Sequence, residues 1–129
     1  MPQDPKKIMI LKALLVETNI KLRKKIKEIL ESKLPSVGVF EAADEKEIFK
    51  HIKLNQPDVI IMDIRLANKN GLKLTKKIKR LYPHITVVIN TNYDSMEYRI
   101  EAAHIGVDHF LSKKSNTIDD LVALAESLY

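Results

Sequence analysis

The sequence predicts an α/β protein, a doubly wound sheet of five parallel strands with helices on both faces. Three observations carry that expectation. Short apolar runs alternate with helical patterns about five times along the chain. The connections between them are mostly a few residues long, as in compact α/β units. The most apolar run, Val59-Ile60-Ile61-Met62, shows no polar alternation, which marks a strand buried on both faces, the habit of parallel sheets. Right-handed crossovers then distribute the helices over both sides of one sheet.

Taken in order, residues 1–11 read as an N-terminal extension and residues 12–129 as one domain. Residues 12–17 form a first strand, with Ala13-Leu14-Leu15-Val16 buried. Thr18 or Asn19 caps the helix that follows. On that helix Leu22, Ile26, Ile29 and Leu30 share a face, and Lys21, Arg23, Lys24, Lys25 and Lys27 decorate the rest. Leu34-Pro35-Ser36 ends it, and residues 37–42 form a second strand, at a sheet edge because Gly38 weakens it. Asp44 and Glu47 have capping-box spacing before an apolar face of Ile48, Phe49 and Ile52. Asn55-Gln56-Pro57 stops that helix, and the third strand leads to Asp63. After Gly71, a helix is expected to bury Leu74, Ile78 and Leu81, with Lys73, Lys76, Lys77, Lys79 and Arg80 outward until Pro83. Residues 85–89 make the fourth strand, ending in Asn90-Thr91-Asn92. Asp94 and Glu97 are expected to open the next helix, with Met96, Ile100 and Ala103 on its buried face and Gly106 at its stop. Residues 107–112 form the fifth strand. Ser115 or Thr117 caps a last helix bearing Ile118, Leu121, Val122, Ala125 and Leu128.

Composition narrows the function classes. The 129 residues, 45% hydrophobic and 30% charged, suffice for a single core. The absence of cysteine excludes disulfides and thiolate zinc sites. No apolar run approaches the roughly 20 residues of a membrane span, and Lys12 interrupts the short apolar start, a poor signal peptide. A cytoplasmic protein is expected. The net charge of +5 falls mainly on lysines of predicted helices. Solvated faces explain it, so direct nucleic-acid binding is disfavoured. His51, His84 and His104 lack metal-ligand spacing and His109 lies inside the fifth strand, which disfavours independent enzymatic catalysis.

The carboxyl ends of the strands carry Glu17-Thr18, Asp63, Thr91 and Lys113. In a parallel sheet these ends share one edge, where ligands gather. As a set they suit phosphoryl chemistry. A carboxylate can attack a phosphoryl group to give an acyl phosphate. Lys113 offers a cation and Thr91 a hydroxyl for its equatorial oxygens. Glu17 with Asp63 offers oxygen ligands for Mg²⁺.

The chain here resembles the receiver domain of two-component response regulators, from about Lys12 to Leu128. Leu14-Leu15-Val16-Glu17-Thr18-Asn19 is similar to the family's first-strand acidic motif. Pro57-Asp58-Val59-Ile60-Ile61-Met62-Asp63 is similar to its phosphoacceptor strand, and Asn70-Gly71-Leu72 to the turn beyond it. Val87-Val88-Ile89-Asn90-Thr91 resembles the switch-Thr strand, and Gly106-Val107-Asp108-His109-Phe110-Leu111-Ser112-Lys113 the segment with the switch aromatic and the lysine. The resemblance implies a flavodoxin-like sheet of strand order 2-1-3-4-5. It implies that Asp63 takes a phosphoryl group from a histidine kinase or phosphotransfer protein. Lys113 and Thr91 would bind that group, Thr91 and Phe110 would switch, and Glu17, Asp63 and the backbone carbonyl of Arg65 would hold Mg²⁺. A downstream output domain or protein, or a homodimer, would use the face carrying Tyr93 and Tyr129.

The chain also departs from the family. Thr18 replaces an acidic residue, which implies weaker Mg²⁺ binding. Asn92 stands where the family prefers Ala or Gly, Ala67 where Pro is common, and Arg65 and Tyr93 are bulky at positions that tune dephosphorylation. Lys114 replaces the proline expected after the lysine, so a cis peptide is not expected there. The leading reading is a phosphoaccepting receiver domain. The alternative is an atypical receiver-like domain with weak or no phosphorylation, acting as a protein-interaction module.

Overall fold

The computed structural model describes residues 10–66 and 69–129, so residues 1–9, Ala67 and Asn68 lie outside the described residues. The elements run β1 (Leu11–Val16), α1 (Ile20–Lys33), β2 (Val37–Ala42), α2 (Glu45–Asn55), β3 (Val59–Met62), β4 (Arg65–Leu66), β5 (Lys69–Asn70), α3 (Gly71–Leu81), β6 (Thr86–Thr91), α4 (Met96–His104), β7 (His109–Ser112) and α5 (Ile118–Ser127). The main sheet has the order β2-β1-β3-β6-β7, and every pairing in it is parallel. That is the expected 2-1-3-4-5 order, with Gly38 on the edge strand. β1 opens at Leu11, one residue early, and pairs it with Val37. The antiparallel β4–β5 ribbon, with only Arg65↔Asn70 and Leu66↔Lys69 in register, was not anticipated. Two residues are too few to make a periodic pattern.

Alternate residues of the central strands feed two cores. Leu14, Val16, Ile60, Met62, Val87 and Ile89 pack with residues of α2, α3 and α4 on one face. Leu11, Ala13, Leu15, Val59, Ile61 and Val88 pack with α1 and α5 on the other. Both faces are dry, so β3 carries no polar residue, and each such side chain contributes about 1.5–3 kcal/mol by leaving water.

The helix ends are fixed by side chains that accept otherwise unpaired amide protons. Asn19 accepts from Leu22 N, Asp44 from Glu47 N and Asn70 from Leu72 N. Thr117 and Asp120 form a reciprocal capping box on α5. At α4 the expectation fails. The cap is Ser95, which accepts from Tyr98 N at 3.3 Å, and not Asp94. The helix presents Ala102 to the core, with Tyr98 and Ile105 beside it, while Met96 and Ile100, expected inside, are exposed. Two adjacent residues could each cap, and the inward stripe 98-102-105 is no more apolar than the outward one. Leu81 is also exposed rather than buried, because it ends α3. Gly106, with φ of +93°, turns the chain out of α4 as expected.

Candidate functional site

The β3 strand delivers Asp63 just past its last residue, and the carboxylate is 8% exposed. Gly71 permits that placement. A Cβ there would lie 2.6 Å from the backbone oxygens of both Asp63 and Ile64, and its own N–H donates to the Ile64 carbonyl at 2.6 Å. The chain therefore returns directly beneath Asp63, and only glycine allows the approach.

Two of the other strand-end residues hold this carboxylate, and Glu17 joins them through Lys113. The Lys113 ammonium donates to Asp63 Oδ2 at 2.7 Å and to Glu17 Oε1 at 2.6 Å. The Thr91 hydroxyl donates to Asp63 Oδ1 at 2.5 Å, and the Arg65 amide donates to the same oxygen at 3.2 Å. Glu17 is itself buried, and its Oε2 accepts from Asn19 N at 3.1 Å. Thr91 is fully buried and accepts from Tyr93 N at 3.1 Å. The chain's fold thus brings Glu17, Asp63, Thr91 and Lys113 together across three parallel strands and the loop after β7. Thr18 is exposed and outside this network.

One cation bridges two carboxylates in a site largely shielded from water. Burial works against the charge of Lys113, but its hydrogen bonds to Asp63 and Glu17 and their negative charge together outweigh it, so its pKa is raised above the ordinary 10.5. The donor atoms also suit a hard divalent cation. The Glu17 and Asp63 carboxylates are oxygen ligands, and Mg²⁺ completes such sets with water. Among the described residues no group of three or more His, Cys, Asp and Glu that could hold a metal ion gathers, here or elsewhere, so this site offers two carboxylates.

The remaining sequence-predicted residues lie around the rim. Phe110 is half-buried against the core beneath α4, and the Arg99 guanidinium covers its ring at 4.7 Å from the centroid. The exposed Arg65 guanidinium stacks on Tyr93 at 4.6 Å, so at rest this side chain is held by an aromatic ring at the rim. Tyr93 meets Tyr98 edge-on, with ring centroids 6.4 Å apart. Beside Lys113 an open groove of about 430 Å³ runs between α1 and the start of α5, lined by Leu22, Ile26, Asn92, Lys113, Thr117 and Ile118.

Two interactions were not legible in the sequence. Asp94, read as a helix cap, instead accepts the Ser112 hydroxyl at 2.6 Å. Arg99, which the sequence pattern does not single out, roofs Phe110 and donates to the Asp94 carbonyl at 3.2 Å. The adjacency of Asp94 and Ser95 was the available signal, since only one of them can cap α4. No cis peptide occurs among the described residues, as the Lys114 position implied. No helix among them is long and apolar enough to cross a membrane.

The comparisons with known proteins agree with this geometry. The family profile described as response regulator receiver domain matches residues 13–126. The DNA-binding transcriptional regulator NtrC of Proteus hauseri is 33% identical over 103 residues, covering 78% of this chain and 22% of its own. The transcriptional regulatory protein YesN of Bacillus subtilis is 29% identical over 86 residues, covering 67% of this chain and 23% of its own. The chain therefore spans about a fifth of the length of these relatives. The receiver domain of the Francisella response regulator 1452 superposes with a TM-score of 0.82 at 29% identity, covering 92% of this chain and 96% of that one. Receiver domains are signalling domains of two-component systems and generally bind Mg²⁺ for phosphorylation. With a matched profile over nearly its whole length, this chain belongs to the response regulator receiver domain family.

Proposed function

We propose that Asp63 is the phosphoacceptor of this receiver domain, taking its phosphoryl group from a histidine kinase or phosphotransfer protein. The observation that carries the reading is the grip on its carboxylate: Lys113 on Oδ2 and the Thr91 hydroxyl on Oδ1. An Asp63 oxygen forms a new P–O bond while the P–N bond of the donor phosphohistidine breaks. The bonding pair stays on the imidazole nitrogen, and the donor ring, protonated on its other nitrogen, leaves as neutral imidazole. The groove beside Lys113, between α1 and α5, is the approach for the donor. Lys113 offsets the charge on the transferring oxygens, and Thr91 orients one of them.

Glu17, Asp63 and the Arg65 carbonyl would hold Mg²⁺, with water completing its shell. Bound there, the ion supplies charge neutralisation for the phosphoryl oxygens. Lys113 now spans the two carboxylates, and with Thr18 contributing no charge the affinity is lower than three carboxylates would give.

Phosphorylation adds about −1.5 to −2 charge and three acceptor oxygens. The Thr91 hydroxyl then turns from Asp63 Oδ1 to the phosphoryl group, and the Tyr93 amide that it holds moves with it. The face carrying Tyr93, Met96, Ile100 and Tyr129, all exposed, changes shape and docks an output domain, an output protein or a second copy of the chain. The domain works in the cytoplasm as a signalling switch, without an independent enzymatic activity of its own.

Incubation with acetyl phosphate and Mg²⁺, followed by intact mass, tests the reading. One phosphate adds to the wild type and none to Asp63→Ala. A wild type without added phosphate would instead favour the non-phosphorylated interaction module, and an addition that survives Asp63→Ala would place the acceptor elsewhere.

A further inference from the structure

We propose that Asp94 is a positioning residue for Lys113, acting through the buried Ser112 hydroxyl, and that it ties the loop after Thr91 to the loop that carries Lys113. The proposal rests on the reading of Asp63 as phosphoacceptor.

Lys113 has a demanding position. Its ammonium must reach between Glu17 and Asp63 from a loop residue just beyond the end of β7. The last sheet contact is Lys113 N to the Thr91 carbonyl, at 2.8 Å. Beyond it the turn is closed locally, with Asn116 N donating to the Ser112 carbonyl at 2.7 Å and Ser112 N donating to Asn116 Oδ1 at 3.1 Å. Position 114 is lysine, so no proline ring fixes the backbone there.

The turn is gripped from outside by Asp94. Ser112 is fully buried. Its hydroxyl donates to Asp94 Oδ2 at 2.6 Å and accepts from Lys114 N at 3.2 Å, so it bridges the carboxylate to the backbone on the far side of Lys113. A hydroxyl donating to a carboxylate at that length belongs to the strong, charge-assisted class. Lys114 Nζ stands 3.7 Å from the other Asp94 oxygen. The Ser112 hydrogen bond, with the nearby Lys114 and Arg99 charges, outweighs partial burial and holds the Asp94 carboxyl below its ordinary 3.8. Asp94 is free for this work because Ser95 performs the capping of α4.

The bonds close a ring. Asp63 holds Thr91 by Oδ1 and Lys113 by Oδ2 at the front of the site. Behind it, three residues after Thr91, Asp94 holds the residue before Lys113. The two groups that meet the phosphoryl oxygens therefore have one shared support, and misplacing a reacting group by about 1 Å can cost on the order of 100-fold in rate.

The test follows acyl phosphate formation from acetyl phosphate with Mg²⁺, by intact mass, in variants checked for folding by thermal unfolding. Asp94→Ala is expected to slow it about tenfold, about 1.4 kcal/mol in the barrier. Asp94→Asn, which keeps an oxygen acceptor for Ser112, recovers most of the rate. Ser112→Ala matches Asp94→Ala, and the pair together lose no more than either alone. In a Lys113→Ala background Asp94→Ala has no further effect. An unchanged rate in Asp94→Ala, or the same fractional loss with and without Lys113, overturns the proposal. A second readout needs no phosphoryl chemistry, and so separates failure here from failure of the Asp63 assignment. Amide hydrogen exchange at Lys113 and Lys114, whose N–H groups are held by the Thr91 carbonyl and the Ser112 hydroxyl, quickens in Asp94→Ala but not in Asp94→Asn. Unchanged exchange overturns the proposal even where Asp63 is phosphorylated, and quickened exchange supports it even where Asp63 is not.

Discussion

Replacing Lys113 by methionine exposes the electrostatic cost of the site. One ammonium lies 2.6 Å from Glu17 Oε1 and 2.7 Å from Asp63 Oδ2, so those oxygens are at most about 5 Å apart once it is gone. Two unit charges at that distance, in an effective dielectric constant of about 20, repel by about 3 kcal/mol. Both carboxylates are nearly buried, so water screens the pair little, while methionine keeps most of the packing volume. Lys113→Met is therefore expected to lose about 2–3 kcal/mol of stability at neutral pH. Mg²⁺ restores positive charge and narrows the deficit, by mass action on the folded state. Urea unfolding of wild type and variant at neutral pH, with and without Mg²⁺, reads both effects. A variant as stable as wild type, or a deficit that Mg²⁺ does not narrow, would refute the reasoning.

Other outcomes follow from the same geometry. Gly71→Ala forces a Cβ against the Asp63 and Ile64 carbonyl oxygens; loss of about 2 kcal/mol or more in urea unfolding and slower phosphorylation are expected, and a neutral variant would show that the turn can relax. Asp94 and Asp120 both have carboxyls held below 3.8, by the Ser112 hydroxyl and by the Thr117 amide respectively. Their stabilisation is present above that value and is lost as pH falls through the lowered one. Asp120→Asn should accordingly flatten the acid limb of the stability–pH curve, and an unchanged limb would count against the capping box. Arg99→Ala removes the cation over Phe110; NMR exchange broadening of the Phe110 ring should increase, and a ring signal identical to wild type would show that core packing alone fixes the rotamer.

Much of the site could be read in the chain before folding was considered. Asp63, Thr91 and Lys113 each follow or end an apolar strand, and a parallel sheet leaves such residues little choice but a common edge. Glu17 follows the same logic. The α4 region was misread for an equally physical reason. Asp94 and Ser95 are both good caps, and Met96, Ile100 and Ala103 repeat at helical spacing as well as Tyr98, Ala102 and Ile105 do. Local pattern cannot choose between two stripes of equal quality. The choice falls to what the sheet offers, and Ser112 on β7 claims Asp94.

By itself, the sequence determined the order of the five main-sheet strands and the five helices, the double burial of β3 and the residues at the sheet's carboxyl edge. Those depend on periodicity and on chain ends, which are local. Only the tertiary structure decided that Lys113 bridges Asp63 to Glu17, residues 50 and 96 positions away, that Asp94 holds Ser112, and that Arg99 roofs Phe110. Each of those joins side chains from separate elements, with a charged group on at least one side. Its strength depends on distance and burial, which exist only once the sheet has formed.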